Sequence, residues 1–342
     1  MKKVIWSIVA AVAFFAALQF WGWLRDNRLP AFYGQARVYV EDTTTVRGVI
    51  AQIKSQTGIR FERSLISVFE RKRVSTYLSK GSYLIKPEYS AVYVARMLNN
   101  SWQTPVKLRL GGSLRLKSEL ASKIGSQMML DSAEVHDALN DEVFLRKFGV
   151  TPQTVFSIII PDTYEVWWDA SLTELFTRLR AEYDRFWTEE RQAQAAGLKL
   201  SKSQVSVLAS IVNCESNHIP EYRQIAGVYV TRLRKGMKLQ ADPTIAFCYD
   251  FKLDRILKKH LKVKSPYNTY THLGLPPGPI CCPSPAAIDA VLQADTSEGY
   301  LYFCASPDFD GTHRFARSYS RHLANSKEFQ TELNKRTSKK NG

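Results

Sequence analysis

The sequence lacks a Cys-x-x-Cys pair, a recognisable nucleic-acid-binding motif and any internal repeat or Gly-Xaa-Yaa period. Without that cysteine spacing the usual zinc sites are excluded. His313 and His322 have no well-placed third ligand beside them, so we predict no metal site and no other cofactor. With no binding motif, nucleic acid is not predicted as a partner.

Acidic residues and cysteines are both few. The 342 residues include 47 Lys and Arg but only 32 Asp and Glu, and the resulting net charge of +15 suits an anionic partner such as a membrane surface or an acidic polymer. Five cysteines are an odd number, so at least one thiol stays free or pairs with another chain. The sequence does not determine which cysteines pair.

The N-terminal apolar run, residues 4–24, is interrupted only by Ser7, Gln19 and Gly22. Some twenty residues at about 1.5 Å each span a bilayer core of roughly 30 Å. A cleaved signal peptide is the alternative, but the run is longer than the apolar region of a typical signal peptide and no small-x-small site closes it. We therefore predict a retained transmembrane anchor after a tail of residues 1–3.

The rest of the chain mixes strand and helix patterns, which predicts an α+β fold in two or three domains. We predict a juxtamembrane linker at 25–35, a small α/β module at 36–105, an intermediate α/β region at 106–200, a third region at 201–335 and a solvated basic tail at 336–342.

Period and turn signals place elements within these regions. The module has predicted strands at 37–40 and 81–85 and helices at 45–57, 65–71 and 90–98. The intermediate region has a strand at 106–110, helices up to 148 and a helix at 172–186, while 188–197 either continues that helix or forms a connector. The third region has a helix around 203–217, a helix at 222–234 that Gly236 ends, a helix at 286–293 that Ser284 and Pro285 begin, and a strand at 300–305.

One glutamate, Glu215, lies where its helix should be apolar. Leu208, Ile211, Val212 and Glu215 recur at i, i+3, i+4 and i+7, which places them on one face. Burial disfavours a charged carboxylate and raises its pKa, so such a glutamate can hold a proton near neutral pH and donate it as a general acid. The alternatives are a glutamate at the margin of the stripe or in a buried ion pair.

The segments around and after Glu215 resemble the endolytic murein transglycosylases of the MltG (YceG-like) family. The resemblance covers about residues 36–335 and is carried by ASIVNCE (209–215), RLRKGMKLQADPT (232–244), YNTY (267–270), GLPPGPI (274–280), His313, Phe315 and His322. Several motifs in the family's order are more specific than any one of them. Asn213 departs from the pattern, since many members have a second acidic residue there, and the resemblance does not explain Cys281 or Cys282.

The resemblance implies a lytic transglycosylase with its catalytic region at 201–335. In that family the catalytic glutamate, here Glu215, protonates the glycosidic oxygen and then accepts the proton of the sugar's own C6 hydroxyl, which closes a 1,6-anhydro ring. One carboxylate suffices there, whereas most glycosidases need two. The resemblance also makes 36–105 a LysM-like subdomain, which either grips glycan or serves as a packing spacer.

Eight further residues are candidates for holding substrate. Aromatic faces suit the C–H faces of pyranose rings, and amide and hydroxyl groups suit sugar hydroxyls. An ordinary polar loop would have the same composition, and Asp-Pro-Thr at 242–244 most simply predicts a turn. The candidates are Gln240, Asp242, Thr244, Tyr267, Asn268, Thr269, Tyr270 and His313.

The predicted function is a membrane-anchored enzyme that cuts nascent peptidoglycan glycan strands between N-acetylmuramic acid and N-acetylglucosamine and so ends their elongation. The resemblance implies a single pass through the bacterial inner membrane, a cytoplasmic tail, an extracytoplasmic body and a penicillin-binding synthase as partner. Two alternatives stay open. One is a non-catalytic glycan-binding scaffold of the cell-wall synthesis machinery, and the other is a muramidase in which water attacks.

Overall fold

The structure, a computed structural model, describes residues 2–112 and 114–340. The chain divides into two compact units and has the mixed α+β composition predicted. Among the described residues, unit 1 comprises 2–108, 127–129 and 165–170, and unit 2 comprises 109–112, 114–126, 130–164 and 171–340. Met1 of the predicted cytoplasmic tail and residues 341–342 of the predicted basic tail lie outside the described residues.

The N-terminal helix α1, Lys2–Asn27, contains the predicted anchor. By length and composition it can cross a membrane. An 18-residue stretch of the helix has a mean hydropathy of 2.0, and none of that stretch is buried. A core helix of a soluble protein covers its apolar side chains, so this exposed apolar helix suggests a single-pass membrane anchor.

The stretch predicted as a linker, 25–35, packs into unit 1. Asp26 is buried and accepts hydrogen bonds from the side chains of Ser64 and Arg71. Phe32 is completely buried and forms an isolated antiparallel bridge with Ile59. The end of α1 is therefore held against the rest of unit 1 by a buried carboxylate, and the residues that follow it contribute an aromatic ring to the core.

Unit 1 has one antiparallel strand pair and several short helices. Its elements are β1 (Ala36–Val40), α2 (Val46–Gln56), α3 (Glu62–Arg71), α4 (Val74–Tyr77), β2 (Gly81–Ile85) and α5 (Ala91–Asn99). β1 pairs with β2 so that Ala36 faces Ile85 and Val40 faces Gly81. Apolar side chains from both strands and from α2, α3 and α5 form one buried core. The predicted strands and helices are confirmed, although α3 begins three residues earlier than the predicted 65.

Two further strands, β3 (Val106–Arg109) and β4 (Thr163–Val166), each contain one of the points at which the chain passes from one unit to the other. Unit 2 is mostly helical. Its elements are α6 (Lys117–Gly125), α7 (Ser132–Ala138), α8 (Glu142–Arg146), α9 (Leu172–Phe186), α10 (Glu189–Gly197), α11 (Lys202–Glu215), α12 (Tyr222–Arg234), α13 (Asp242–Cys248), α14 (Pro285–Leu292), β5 (Tyr302–Ala305), β6 (His313–Ala316) and α15 (Tyr319–Lys340). The open question about 188–197 is answered by α10, a separate helix that the side chain of Thr188 caps.

The centre of unit 2 is a packing of α11 against α12 and α14. The predicted stripe of Leu208, Ile211 and Val212 is fully buried there, which confirms the helical period. Gly227 on α12 permits a close approach, because a Cβ atom at this position would lie 1.8 Å from the backbone oxygen of Asp295. This glycine lets the segment after α14 lie directly on α12.

The helix ends follow the predicted cap chemistry, with one exception. Gly236 has a left-handed φ of 64°, and the N–H of Met237 bonds to the carbonyl of Arg232, which closes α12 in a Schellman motif. The Ser284 hydroxyl accepts from the backbone N–H of Ala287 and so caps α14. The turn predicted at 242–244 is wrong, because Asp242 begins α13, with Pro243 in the first turn where its missing N–H costs nothing.

Candidate active site

A pocket in unit 2 surrounds the C-terminal end of α11. Glu215 is the last residue of this helix and lies on the pocket wall, so the stripe that packs the helix into the core also directs its final carboxylate into the cavity. The cavity has a volume of about 450 Å³. Its lining is Glu215, Tyr229, Arg232, Leu239, Gln240, Asp242, Tyr270, Tyr302, Phe303, Cys304, Ala305, His313, Tyr319 and His322.

Burial favours the protonated form of the carboxyl group of Glu215. Burial raises its pKa from an ordinary 4.5 to about 7, a hydrogen bond from Tyr229 and the charge of Arg232 oppose that rise, and the charge of Asp242 adds to it. The residue is partly exposed, on the wall of the cavity. A carboxyl group with its pKa raised in this way can hold a proton near neutral pH, within reach of a molecule in the cavity.

Two buried residues of α12 support this carboxylate. The hydroxyl of Tyr229 donates a hydrogen bond to Oε1 of Glu215, and burial raises the pKa of this tyrosine well above its usual 10, so it stays a donor. The guanidinium of Arg232 donates to the backbone carbonyls of Leu301, at 2.7 Å, and Leu239, at 2.6 Å. Both residues favour the ionised form of Glu215, which a general acid becomes after it has given up its proton.

A second carboxylate lines the same cavity. Asp242, the first residue of α13, is exposed and accepts a hydrogen bond from the hydroxyl of Tyr270. Burial and this carboxylate raise the pKa of Tyr270. The predicted candidates Asp242 and Tyr270 thus lie beside Glu215, and Gln240 lines the cavity next to them with a left-handed φ of 52°.

His313 lies on the opposite strand pair, at the start of β6. Its backbone N–H and its Nδ1 both contact the carboxylate of Glu221, at 2.9 and 2.8 Å, and its ring lies nearly perpendicular to that of Phe303 on β5. The contact is largely covered, with 13% and 12% of the two side chains exposed. This bidentate contact holds the imidazole in place on the cavity wall.

Four other candidates do not line this cavity. Asn268 is completely buried, donates to the carbonyls of Leu261 and Val263, and accepts from the N–H of Tyr270. Thr244 and Thr269 are also buried, and their hydroxyl oxygens lie 2.9 Å apart. These contacts give the three residues a structural part in shaping the loop, and contact with a glycan stays a prediction for them.

Tyr267 belongs to a different depression. Its ring packs against that of Phe247 at 4.6 Å, and both line a cavity of about 420 Å³ with Arg115, Lys117 and Lys252. Its part in substrate binding also stays a prediction.

Residues that the sequence did not single out complete the site. Tyr229 and Arg232 lie three residues apart on α12 and share one face, which was a usable signal, but a tyrosine within an apolar run usually predicts core. Tyr302, Tyr319 and Glu221 gave no signal of their own. Asn213, in the place of the family's second acid, accepts a hydrogen bond from the N–H of Ser284 at 3.3 Å and does not line the cavity.

The described residues offer no metal centre, since no group of three or more His, Cys, Asp or Glu among residues 2–112 and 114–340 is placed to hold an ion. The model of the YceG-like family matches residues 38–328, most of the chain. The chain belongs to the YceG-like family.

Relatives with established names agree with this membership. The chain is 29% identical over 203 residues to an endolytic murein transglycosylase of Bacillus subtilis (strain 168), a match that covers 55% of this chain and 56% of that protein. It is 27% identical over 152 residues to a protein of the same name from Streptococcus pneumoniae serotype 2, covering 43% of this chain and 27% of that protein. The matched region thus spans about half, or less, of the length of these relatives.

A solved structure of the YceG-like family has the same fold. A crystal structure of a yceG-like protein from Listeria monocytogenes superposes with a TM-score of 0.55 and 24% identity, covering 85% of this chain and 98% of that one. At this identity the likeness shows the fold alone.

Proposed function

We propose that this YceG-like protein is a lytic transglycosylase that cuts peptidoglycan strands internally, between N-acetylmuramic acid and N-acetylglucosamine. The observation that carries the proposal is Glu215, a carboxyl group with a pKa raised to about 7 in a cavity of polar and aromatic side chains. A carboxylic acid that is still protonated at neutral pH is what protonation of a glycosidic oxygen requires.

In the first step Glu215 donates its proton to the glycosidic oxygen as the bond to C1 of N-acetylmuramic acid breaks. Tyr229 bonds to Oε1, so the proton to be transferred is held by Oε2. The leaving sugar departs as a neutral alcohol, and the glutamate becomes an anion. The Tyr229 hydroxyl and the Arg232 charge both stabilise that anion, which lowers the cost of the transfer.

In the second step the same glutamate acts as a base. It accepts the proton of the sugar's C6 hydroxyl while the C6 oxygen bonds to C1, which closes a 1,6-anhydro ring and restores the protonated Glu215. No water is consumed. A pKa near 7 suits both steps, because the group must lose and regain a proton in each cycle at neutral pH.

A muramidase is a second candidate because Asp242 lines the same cavity. A carboxylate opposite a general acid can activate water or attack C1, as in ordinary glycosidases. Asp242 accepts a hydrogen bond from Tyr270, which orients it. Under the lead proposal its negative charge helps to stabilise positive charge that develops at C1.

The test is the identity of the new chain ends. Purified full-length protein in detergent is incubated with uncrosslinked glycan strands, and the products are resolved by mass spectrometry. Products of intermediate length that carry anhydro ends support an internal lytic cut, whereas products with reducing ends indicate the muramidase. The Glu215→Gln variant is assayed in parallel. If the wild-type protein binds the glycan but does not cut it, the result indicates the non-catalytic scaffold.

We further propose that α1 is retained as the anchor and that the body lies outside the cytoplasm. Support comes from the exposed apolar surface of α1 and from exposed Trp21 and Trp23 near its far end, where interfacial aromatics belong. Accessibility of Cys304 and Cys248 to a membrane-impermeant thiol reagent on intact cells tests the orientation. The family resemblance is the basis for a penicillin-binding synthase as partner, and crosslinking in cells tests it.

We also propose glycan binding by residues 36–105 of unit 1, the predicted LysM-like subdomain. Tyr89 and Tyr93 have ring centroids 4.3 Å apart, Tyr93 and Trp102 follow at 5.8 Å, and the last two are 41% and 47% exposed. A row of exposed rings can stack on successive pyranoses. Binding of glycan to full-length Glu215→Gln should weaken with Tyr93→Ala and not with Tyr77→Ala, an exposed tyrosine of α4.

A further inference from the structure

Two thiols face each other beside the candidate catalytic glutamate. Cys214 directly precedes Glu215 in the last turn of α11, and its Sγ lies 3.5 Å from the Sγ of Cys281, 67 residues further along the chain. Both are free cysteines. A disulfide bond is about 2.05 Å long, so the two sulfur atoms need to approach by about 1.5 Å to form one.

The backbone around the two thiols is already held together. The N–H of Ile280 donates to Oγ of Ser210 at 2.9 Å, and the N–H of Ser284 donates to Oδ1 of Asn213 at 3.3 Å. The Cys281 thiol itself donates to the carbonyl of Ser210 at 3.5 Å. Residues 280–284 therefore lie along the last turns of α11, and closing the bond requires rotation of two short side chains together with a small movement of the turn that carries Cys214.

The two thiols differ in access. Cys214 is partly exposed, whereas Cys281 is only 1% exposed. The hydrogen bond from Cys214, together with burial, raises the pKa of Cys281 well above its usual 9. Because the thiolate is the nucleophile in thiol chemistry, Cys281 does not react first with a reagent from solution. An oxidant meets Cys214 before it meets Cys281.

We propose that Cys214 and Cys281 are a reversible dithiol–disulfide site, oxidised by an organic disulfide or by a disulfide-carrying oxidoreductase. The Cys214 thiolate attacks one sulfur of the donor disulfide, forms a mixed disulfide and releases one donor thiolate, which takes up a proton. Cys281 then loses its proton, attacks the Cys214 sulfur and displaces the second donor thiol. Two cysteine thiols are oxidised and one donor disulfide is reduced to two thiols.

The closed bond links the turn that carries Glu215 to the segment before α14. It closes a loop of 67 residues in the unfolded chain, so the oxidised protein resists unfolding more strongly. Drawing Cys214 toward Cys281 also displaces the adjacent Glu215 relative to Tyr229 on α12. This last consequence rests on the proposed function, whereas the disulfide itself does not.

The disulfide is tested by thiol counting on folded full-length protein in detergent. After treatment with oxidised glutathione, the wild type should lose two titratable thiols and two hydrogens of intact mass, and fragment ions should join Cys214 to Cys281. Cys214→Ser and Cys281→Ser should each lack this product. Cys248→Ser is the matched control, because its hydroxyl can keep the bond of Cys248 to the Thr244 carbonyl, and it should behave as wild type.

Several results would overturn the site. One is a protein that keeps all five thiols, another is a protein that stops with one glutathione attached to Cys214, and a third is a bond from Cys214 to Cys282 or to another chain. Should Cys281→Ser fail to fold, Cys214→Ser carries the test, because the partly exposed position tolerates serine more readily.

Thermal unfolding and cleavage give two separate readouts. The oxidised wild type should melt roughly 5 to 15 °C higher than the reduced form, and the shift should vanish in Cys214→Ser. Cleavage by the oxidised form should fall roughly tenfold or more and recover with dithiothreitol, because small displacements at an active site are costly. Unchanged cleavage overturns the coupling to Glu215. If the reduced protein cuts no glycan, the proposed function fails while thiol loss and melting still decide the disulfide.

Discussion

Two polar clusters in unit 2 differ in what their side chains bond to. On the cavity wall, side chains bond to side chains, as Tyr229 does to Glu215 and Tyr270 does to Asp242. In the turn at 267–271, by contrast, the side chain of Asn268 bonds to three backbone groups in the interior. Both clusters have the residue types of a sugar-binding site.

The difference shows how a ligand-binding residue is distinguished from a structural one of the same type. A buried amide that satisfies backbone groups has no capacity left for a ligand, and its loss leaves those groups unpaired. A carboxylate on a cavity wall keeps one oxygen for a substrate and contributes little to packing. We therefore expect substitutions in the cavity to change activity and substitutions in the turn to change stability.

The largest expected effect comes from Glu215→Gln. Glutamine keeps the shape but supplies no acidic proton, so anhydro-product formation should fall by at least about 10²–10⁴-fold. Because the folded-state pKa is raised to about 7 from 4.5, the charged carboxylate costs stability as the pH rises from about 4.5 through 7. At pH 8 the variant should thus be more stable, on the order of 2 kcal/mol.

Chemical unfolding and product assays on one sample check both halves of this expectation. Glu190→Gln, an exposed carboxylate on α10, serves as the control and should change neither quantity. A stable Glu215→Gln variant with near-normal cleavage would remove this residue from the mechanism.

Asn268→Ala should produce the largest loss of stability. The substitution leaves the carbonyls of Leu261 and Val263 without their hydrogen bonds from Asn268, which should lower the free energy of unfolding by about 3 kcal/mol. The melting temperature should fall by roughly 5–10 °C, and activity per folded molecule should stay close to that of the wild type. Thr271→Ala, an exposed position of the same turn, is the matched control. Loss of cleavage without loss of stability would reverse the assignment and make Asn268 a substrate ligand.

Tyr229→Phe should shift the pH dependence of cleavage. The acid form of Glu215 is the active one, so the rate should fall as the pH rises through about 7 in the wild type. The hydrogen bond from Tyr229 stabilises the glutamate anion, so its removal should move this fall in rate to higher pH by about one unit. Initial rates between about pH 5 and 9 measure the shift, and a fall in rate that moves to lower pH would contradict it.

Asp242→Asn should cause the smallest shift in the pH dependence of cleavage, in the direction opposite to that of Tyr229→Phe. The charge of Asp242 raises the pKa of Glu215 less than burial does, so its loss should move the same fall in rate to lower pH by less than about one unit. Anhydro ends should remain the product. Complete loss of cleavage, together with reducing ends in the wild type, would instead favour the muramidase.

Much of the local structure was predictable because it depends on short-range chemistry. The periodic stripe before Glu215 and the strand at 81–85 were confirmed, as was the cap at Gly236, because burial period and left-handed φ are properties of a few neighbouring residues. The start of α13 was missed, because Asp-Pro-Thr is equally compatible with a turn and with a first helical turn.

The site divided in the same way. From the sequence alone, Glu215 could be identified because it breaks an apolar stripe, and Asp242, Tyr270, Gln240 and His313 do line the cavity beside it. The spacing of Tyr229 and Arg232 indicated that they share a face of α12, but not that this face meets Glu215, because they come to it from another helix.

The sequence by itself determined the apolar N-terminal helix, the mixed α+β composition and the inward-facing glutamate, all of which follow from the order of apolar and polar residues along a few turns. Only the tertiary structure decided which polar residues share a cavity with Glu215 and which are buried in the interior. It also decided that Cys214 meets Cys281, 67 residues further along the chain. The reason is physical. The pKa of a carboxyl group depends on burial and on charges brought close by the fold, and the pairing of two thiols depends on which distant segments meet, so neither is a property of neighbouring residues.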